Sequence, residues 1–271
     1  FTTMAADGTP LHTFRWLPDD APKAIVQIAH GMAEHAARYE RFAEALTAAG
    51  YAVYANDHRG HGETHPVGHG HGYFADRDGF ATVVADLHSV TDVARAENPG
   101  LPLFLFGHSM GSFLSRAYAA KYGGELAGLV LSGTAGDQGV LGLVGLGLAL
   151  AEARLRGRQH VSPLLDNLSF GQYGKAFKPA RTKFDWLSRD EAEVDKYVAD
   201  PLCGNVFTSG FFVDLIRGLG HIHDPETTAQ VPKDLPIQLI AGSMDPVGGQ
   251  SKGVDQVAGQ YRKARSEERR V

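Results

Sequence analysis

Gly107-His108-Ser109-Met110-Gly111 stands directly behind the apolar run Leu103-Phe104-Leu105-Phe106 and directly ahead of the helix-like stretch 112–122. A serine with glycines two residues before and two after, at a junction of strand and helix, has the spacing of an activated nucleophile. The turn is so tight that neighbouring side chains must be nearly absent, and its strain lifts Ser109 Oγ out of the sheet edge. The N–H of Met110 then points toward the oxygen of an attacked carbonyl. Such a serine needs an acid, a base and a second oxyanion donor. On a strand–turn–helix scaffold the chain order is serine, acid, histidine. Asp245, in Ala241-Gly242-Ser243-Met244-Asp245-Pro246-Val247, follows the apolar run 237–241 and occupies the acid's place. The alternative for it is a plain turn aspartate ahead of proline. His30-Gly31-Met32 follows the run 24–29, which makes Met32 N–H the candidate second donor.

Holding these groups together requires a sheet. Runs 24–29, 52–55, 103–106 and 129–131 read as buried strands, and 237–241 as a fifth after Pro236. Between them, 39–49, 80–96 and 112–122 read as amphipathic helices, closed by Gly50, by Asn98-Pro99-Gly100 and by Gly123-Gly124. That alternation implies parallel βαβ units with both sheet faces covered. Residues 13–16 add an antiparallel edge strand. After Gly136 the alternation stops, and 139–220 is helical in character, with helices at 188–199 and 211–219 among others. An insertion of this size reads as a cap over the strand C-termini, where open α/β sheets bind ligands. The expected fold is therefore α/β, a mostly parallel sheet flanked by helices with an inserted helical cap. The expected division is core at 1–137, cap at 138–220, core again at 221–264, and a non-native tail at 265–271.

The chain has 271 residues, a net charge of −5 and one cysteine, Cys203. No basic stripe is evident, which excludes nucleic acid as the main partner. A lone cysteine excludes an intrachain disulfide and suits a reducing compartment. No signal-peptide pattern is visible, and the longest apolar run, 140–151, is too short and glycine-rich to span a bilayer. A cytoplasmic location, peripheral to a membrane at most, is expected.

His30-Gly31-Met32-Ala33-Glu34-His35 with Arg38-Tyr39, then Gly50-Tyr51, then Asp57-His58-Arg59-Gly60-His61-Gly62, then the serine elbow, resemble the monoacylglycerol lipase/lysophospholipase branch of the α/β-hydrolases. That branch is also grouped with the serine aminopeptidase-like hydrolases. The resemblance extends through Asp185-Trp186-Leu187-Ser188-Arg189-Asp190 and Asp200-Pro201-Leu202. It implies an esterase acting on single-chain glycerolipids, with an apolar cap entrance and no metal or organic cofactor. Under it, the glycine-spaced leucines of 140–150 are either a lid surface that meets lipid or a packed cap helix. Glu34, His35, Arg38 and Tyr39 would hold the loop behind the oxyanion hole.

Other residues invite heavier readings. His58, His61, His65, His69 and His71 crowd one glycine-rich loop. Metal ligation is conceivable there, but cysteines are absent and His58 and His61 belong to the loop motif, so no metal is expected. His221 and His223 precede Asp245, the wrong side for a triad base, and Cys203 has no base beside it in sequence. No histidine follows Asp245 at all. The final residues, Arg265-Ser266-Glu267-Glu268-Arg269-Arg270-Val271, resemble translated adapter sequence. The expectation is accordingly a chain whose natural sequence continues past Ala264, whose last strand and helix are missing here, and whose 271 residues are nearly inert. It would also leave 237–241 as an exposed sheet edge. Two other functions stay open: a proline-releasing aminopeptidase, with Glu191, Glu193 and Asp195 as amine-binding candidates, and a non-catalytic binding protein of the same fold. Oligomeric state is not legible.

Overall fold

The computed structural model describes residues 1–65, 68–169, 171 and 173–266. Seven strands form one sheet: β1 (Thr2–Met4), β2 (Pro10–Trp16), β3 (Ala24–Ala29), β4 (Tyr51–Asn56), β5 (Leu103–His108), β6 (Gly128–Ser132) and β7 (Ile237–Ile240). Their order across the sheet is β1-β2-β4-β3-β5-β6-β7. The two pairs at the β1 end are antiparallel and all others parallel. All six residues of β3 are buried, as both-face coverage demands. Gln27 is the polar one among them. It is satisfied by donating to the Leu87 carbonyl at 2.8 Å and accepting from Thr91 Oγ1 at 2.6 Å.

The covering helices are α1 (Glu40–Ala48), α2 (Gly79–Glu97), α3 (Met110–Tyr122) and α9 (Lys252–Ser266). Phe80, Val83, Val84, Leu87, Val90, Thr91 and Ala94 lie three or four residues apart along α2 and are all buried, the stripe expected of a helix packed on a sheet. α3 is buried from Met110 to Ala119, because the sheet lies on one side and α7 (Ser209–His223) on the other.

Between β6 and β7 the described residues are helical: α4 (Gly139–Arg156), α5 (Pro163–Ser169), α6 (Glu191–Ala199), α7 and α8 (Pro225–Gln230). α7 is continuous through residue 220, where the sequence pattern divides cap from core. Thr208 caps it by accepting the Phe211 N–H at 3.2 Å. β1, α5 and α8 are not evident in the hydrophobic pattern. β1 buries only Thr3, and α8 is marked by capping, with Asp224 accepting the Glu226 N–H at 2.9 Å ahead of Pro225. The helix expected at 188 begins at Glu191, because Asp190 takes the cap by accepting the Ala192 N–H at 3.0 Å.

β7 is an edge strand, pairing with β6. Ile237 and Leu239 face the core, while Gln238 and Ile240 are exposed, Ile240 by 41%. α9 covers β7 and α8 through Val257 and Tyr261. Of the expected tail, Arg265 and Ser266 continue α9, and 267–271 lie outside the described residues.

Candidate active site

Ser109 sits between β5 and α3 with φ +50° and ψ −118°. This region is costly for a residue with a Cβ, about 1–3 kcal/mol, and persists only where surroundings enforce it. The Ser109 N–H donates to the Ser132 carbonyl at 2.8 Å. Its carbonyl accepts from the Ser112 N–H at 2.8 Å and from Ser112 Oγ at 2.6 Å. The flanking glycines are dictated by space. A Cβ on Gly107 would run into Ser115 Oγ and the Gly111 carbonyl, and one on Gly111 into the Ala29 carbonyl of β3. Met110 begins α3, so its N–H has no acceptor within the helix and is free to serve as an anion donor. Its side chain is buried.

Met32 lies in the loop after β3, and the two peptides that flank Gly31 are both held. The Gly31 N–H donates to Glu34 Oε1 at 2.6 Å, and Tyr39 Oη donates to the same oxygen at 2.7 Å. Arg38 Nε lies 3.3 Å from Glu34 Oε2. On the far side, the His58 N–H donates to His30 Nε2 at 2.9 Å, which leaves His30 Nδ1 protonated. That nitrogen donates to the Gly31 carbonyl at 2.7 Å. Carbonyl and N–H of one peptide point oppositely, so anchoring Gly31 O aims Met32 N–H. Burial holds His30 well below the usual imidazole range, and pushes His58 down to about 3 and His61 to about 4. These three rings stay neutral at pH 7. The sequence expectation for Glu34, Arg38 and Tyr39 matches this geometry. His35 reaches further, its Nε2 lying 2.8 Å from Asp200 Oδ2.

Ser109, His108, Met32 and Asp245 line one cleft of about 1230 Å³. Its other wall, from the helical insertion, includes Phe177, Phe184, Trp186, Leu187 and Tyr197. Asp245 lies in the loop after β7, half-buried, with Oδ1 accepting the Val247 N–H at 2.9 Å. Its carboxylate and the His108 ring both pack over Gly133. The position a Cβ would take there is 3.3 Å from Asp245 Oδ2 and 3.4 Å from His108 Cε1. His108 Nδ1 and Ser132 Oγ are 3.0 Å apart. His108 is the only histidine lining the cleft among the described residues. In the sequence it reads only as a member of the elbow, and no local pattern marks its facing the acid.

The remaining candidates fall elsewhere. Cys203 lies 3.8 Å from Arg38 Nη1, and burial pushes its thiol up to about 12, which leaves it an unreactive thiol. His223 is held between Arg116 and Gln260, at 3.3 and 3.1 Å, and His221 Nδ1 is 3.2 Å from Thr227 Oγ1. Neither lines the cleft. Glu193 pairs with Arg41 and Lys196 at 3.0 Å each, and Asp195 with Arg181 at 2.9 Å, both away from the cleft. Glu191 lines it but stands 3.5 Å from Arg181. On α4, Val140, Leu141, Leu143 and Val144 are 56–80% exposed, and Ala149 is the one buried residue of the helix. No helix among the described residues is long and apolar enough to cross a membrane.

A family model described as "Serine aminopeptidase, S33" matches residues 20–270. The chain belongs to this family. The monoacylglycerol lipase of Mycolicibacterium smegmatis is 33% identical over 248 residues, spanning 90% of this chain and 79% of that one. Human monoglyceride lipase is 31% identical over 253 residues, 89% and 71% of the two chains. Among solved structures, a highly thermostable carboxyl esterase from Bacillus coagulans in complex with glycerol is similar at a TM-score of 0.90. It is 29% identical, over 97% of this chain and 86% of that chain. Family and structure together place the chain in the monoacylglycerol lipase-like branch of the α/β-hydrolases. The fold and resemblance expected from the motifs hold.

Proposed function

We propose that this protein is a carboxylic-ester hydrolase working through an acyl-enzyme on Ser109, with monoacylglycerols or lysophospholipids as substrates. The observation that carries the reading is the meeting of the strained Ser109 turn, which opens α3 at Met110, and the anchored Gly31–Met32 peptide at one cleft with an aromatic side. Ser109 Oγ attacks the ester carbonyl, and the oxyanion rests on the N–H groups of Met32 and Met110. The alcohol leaves, and water releases the acid. Asp245 is the orienting acid for an imidazole base. The names of the relatives, two of them lipases of monoacylglycerols, support the substrate class. In this reading residues 138–220 are the cap, and the exposed leucines of α4 meet a lipid surface transiently.

No histidine follows Asp245, and His108, the only imidazole lining the cleft among the described residues, is engaged with Ser132 Oγ. Without a base a triad enzyme keeps only residual catalysis from its oxyanion hole and binding. The 271-residue chain therefore turns over slowly. The aminopeptidase reading is the weaker one, since Glu191, Glu193 and Asp195 are all matched by basic partners rather than presented to a substrate amine.

The test is covalent. A fluorophosphonate probe should label this chain slowly and on Ser109 alone, with S109A unlabelled. A panel of monoacylglycerol, lysophospholipid and prolyl-anilide substrates then ranks the chemistry. Labelling that survives in S109A overturns the nucleophile, and preferential cleavage of the anilide overturns the ester assignment. Ordinary enzymatic turnover would make another histidine the base, with H108A the first variant to examine.

A further inference from the structure

Positive charge gathers on the wall of the Ser109 cleft that the helical insertion supplies. Residues 175–189 carry Lys175, Lys178, Arg181, Lys183 and Arg189 against Asp185 alone, in a chain whose net charge is −5. All five cations are exposed, and all five line the cleft. Phe177, Phe184 and Trp186 are interspersed with them, half-buried, and line the same space. One segment thus presents aromatic surface and cations together. The charge is particular to this cleft. The second cavity, of about 310 Å³ with His69 and His71 in its wall, has no lysine or arginine among its described lining residues.

The pairing shows which of these charges remain available. Arg181 is held by Asp195 at 2.9 Å and Glu191 at 3.5 Å. Lys183 Nζ sits 4.7 Å from the centre of the Phe184 ring and within electrostatic reach of Asp166, whose carboxyl burial raises. The other acids of the cleft have donors of their own. Glu34 accepts from the Gly31 N–H and Tyr39 Oη, and Asp245 from the Val247 N–H. Asp185 accepts from the Thr182 hydroxyl at 2.6 Å and from the N–H groups of Arg181 and Thr182. Lys175, Lys178 and Arg189 are left with no acidic partner among the described residues. A neutral glycerol headgroup offers these three no counter-charge. A phosphate does, together with acceptor oxygens that match an arginine fork and lysine ammonium groups.

We infer that the preferred substrate is a single-chain glycerophospholipid with an anionic headgroup, its phosphate met by Lys175, Lys178 and Arg189. This rests on the reading of Ser109 as an ester-cleaving nucleophile and chooses between the two substrate classes that reading allows. In a lysophospholipid the phosphate is one glycerol away from the acyl ester, so ester and phosphate can occupy a single cleft of about 1230 Å³. The aromatic side chains between the cations give the acyl chain an apolar surface in the same space. A monoacylglycerol uses the aromatic surface and leaves the three cations unmatched. A zwitterionic lysophosphatidylcholine falls between the two, because its ammonium group meets the same positive wall.

The experiment is calorimetry on full-length S109A, which cannot be acylated, with decanoyl lipids held below their micelle concentrations. Lysophosphatidylglycerol should bind at least ~10-fold more tightly than the monoacylglycerol, and the advantage should shrink as NaCl rises from about 0.05 to about 0.5 M. Adding K175Q/K178Q/R189Q should weaken lysophosphatidylglycerol binding at least ~10-fold. Adding R77Q/K121Q/K252Q, which removes the same charge from exposed positions outside the cleft, should preserve it. In the unaltered chain, saturating lysophosphatidylglycerol should slow fluorophosphonate labelling of Ser109. Should the cleft variant not fold, the salt dependence decides. The proposal is overturned by a monoacylglycerol that binds as tightly, by an advantage untouched by salt, by equal losses in the two triple variants, or by binding that leaves Ser109 labelling unchanged. Glycerol 3-phosphate binding as tightly as the lysolipid would mark a free-phosphate site and overturn it too. So would a preference shown by anionic vesicles and not by lipid monomers, since the cations would then face a membrane surface. The two readings fail separately: a Ser109 that no probe labels overturns the ester assignment, whereas the calorimetry on S109A decides the headgroup.

Discussion

Arg59→Met is the substitution that most directly tests how the loop behind the Gly31–Met32 peptide is held. Arg59 is 3% exposed and follows His58, whose N–H fixes the His30 tautomer. Its guanidinium donates to Asp86 of α2 at 2.5 and 2.8 Å, to Asp7 of the β1–β2 turn at 2.7 and 2.8 Å, and to Thr9 at 3.0 Å. The two acids differ. Asp7 is 52% exposed, and the hydrogen bond from Arg59 holds its carboxyl well below the usual range. Asp86 is 2% exposed, and burial holds it above that range even with Arg59 in place. Removing the guanidinium leaves Asp86 buried without its counter-charge, a loss of about 3–5 kcal/mol against a typical domain stability of ~5–15. Asp7→Asn should cost no more than ~1 kcal/mol, because water already screens that pair. The double variant R59M/D86L replaces the pair by apolar groups and should recover most of the loss. Urea unfolding followed by tryptophan fluorescence reads this as a midpoint lower by ~1–2 M in R59M. The pH dependence has a definite sign. With Asp86 raised, the folded variant binds a proton that the unfolded chain releases, so the R59M deficit should grow as pH rises from ~4 and shrink on acidification. For Asp7 the sign reverses, with its contribution full above ~4 and lost as pH falls through its depressed folded value. A cost below ~1 kcal/mol for R59M, or a D7N cost equal to it, would refute the reasoning.

Three further outcomes follow from other contacts. Gly111→Ala should lower stability by ~1–3 kcal/mol or more, because the new methyl meets the Ala29 carbonyl, and should also abolish probe labelling of Ser109; thermal melts and labelling check both. Burial pushes the His223 imidazole down to about 4, so between ~6.5 and that value the unfolded chain takes up a proton the folded chain refuses. Stability should fall on acidification across that window, and less so in His223→Gln, measured as the difference in Tm between pH 7 and pH 5. The variant L141E/L143E places charges on the exposed apolar first turns of α4 and should cut partition onto phosphatidylcholine vesicles ~10-fold in flotation without changing Tm.

The serine elbow, the strands and the main helices were legible because their causes are local. A buried strand announces itself by a short apolar run, as 24–29 does, and the glycines around Ser109 by what a Cβ would strike. α8 was legible in principle through Asp224-Pro225, but its cap lacks the hydrophobic period that the other helices display. β1 was not legible, since a three-residue strand with one buried side chain carries almost no pattern. Whether α4 is a packed cap helix or an apolar surface could not be read from its glycine-spaced leucines. Exposure depends on what the rest of the chain leaves uncovered, and here α7 covers only part of it.

By itself, the order of residues offered the candidates, Ser109 in the Gly107–Gly111 turn, Asp245 after an apolar run and the His30–Met32 loop, and carried the family to which the chain belongs. These follow from spacing along one chain, which is what a sequence records. Only the tertiary structure decided that His108 and Asp245 pack over the same glycine, that Glu34 and His30 hold the two peptides on either side of Gly31, and that Glu193 and Asp195 pair with basic neighbours. Distances between residues far apart in sequence are set by sheet order and helix packing, and no local pattern encodes them. The Ser109 turn is therefore a property of the sequence, and its sharing one cleft with Met32 and Asp245 a property of the fold.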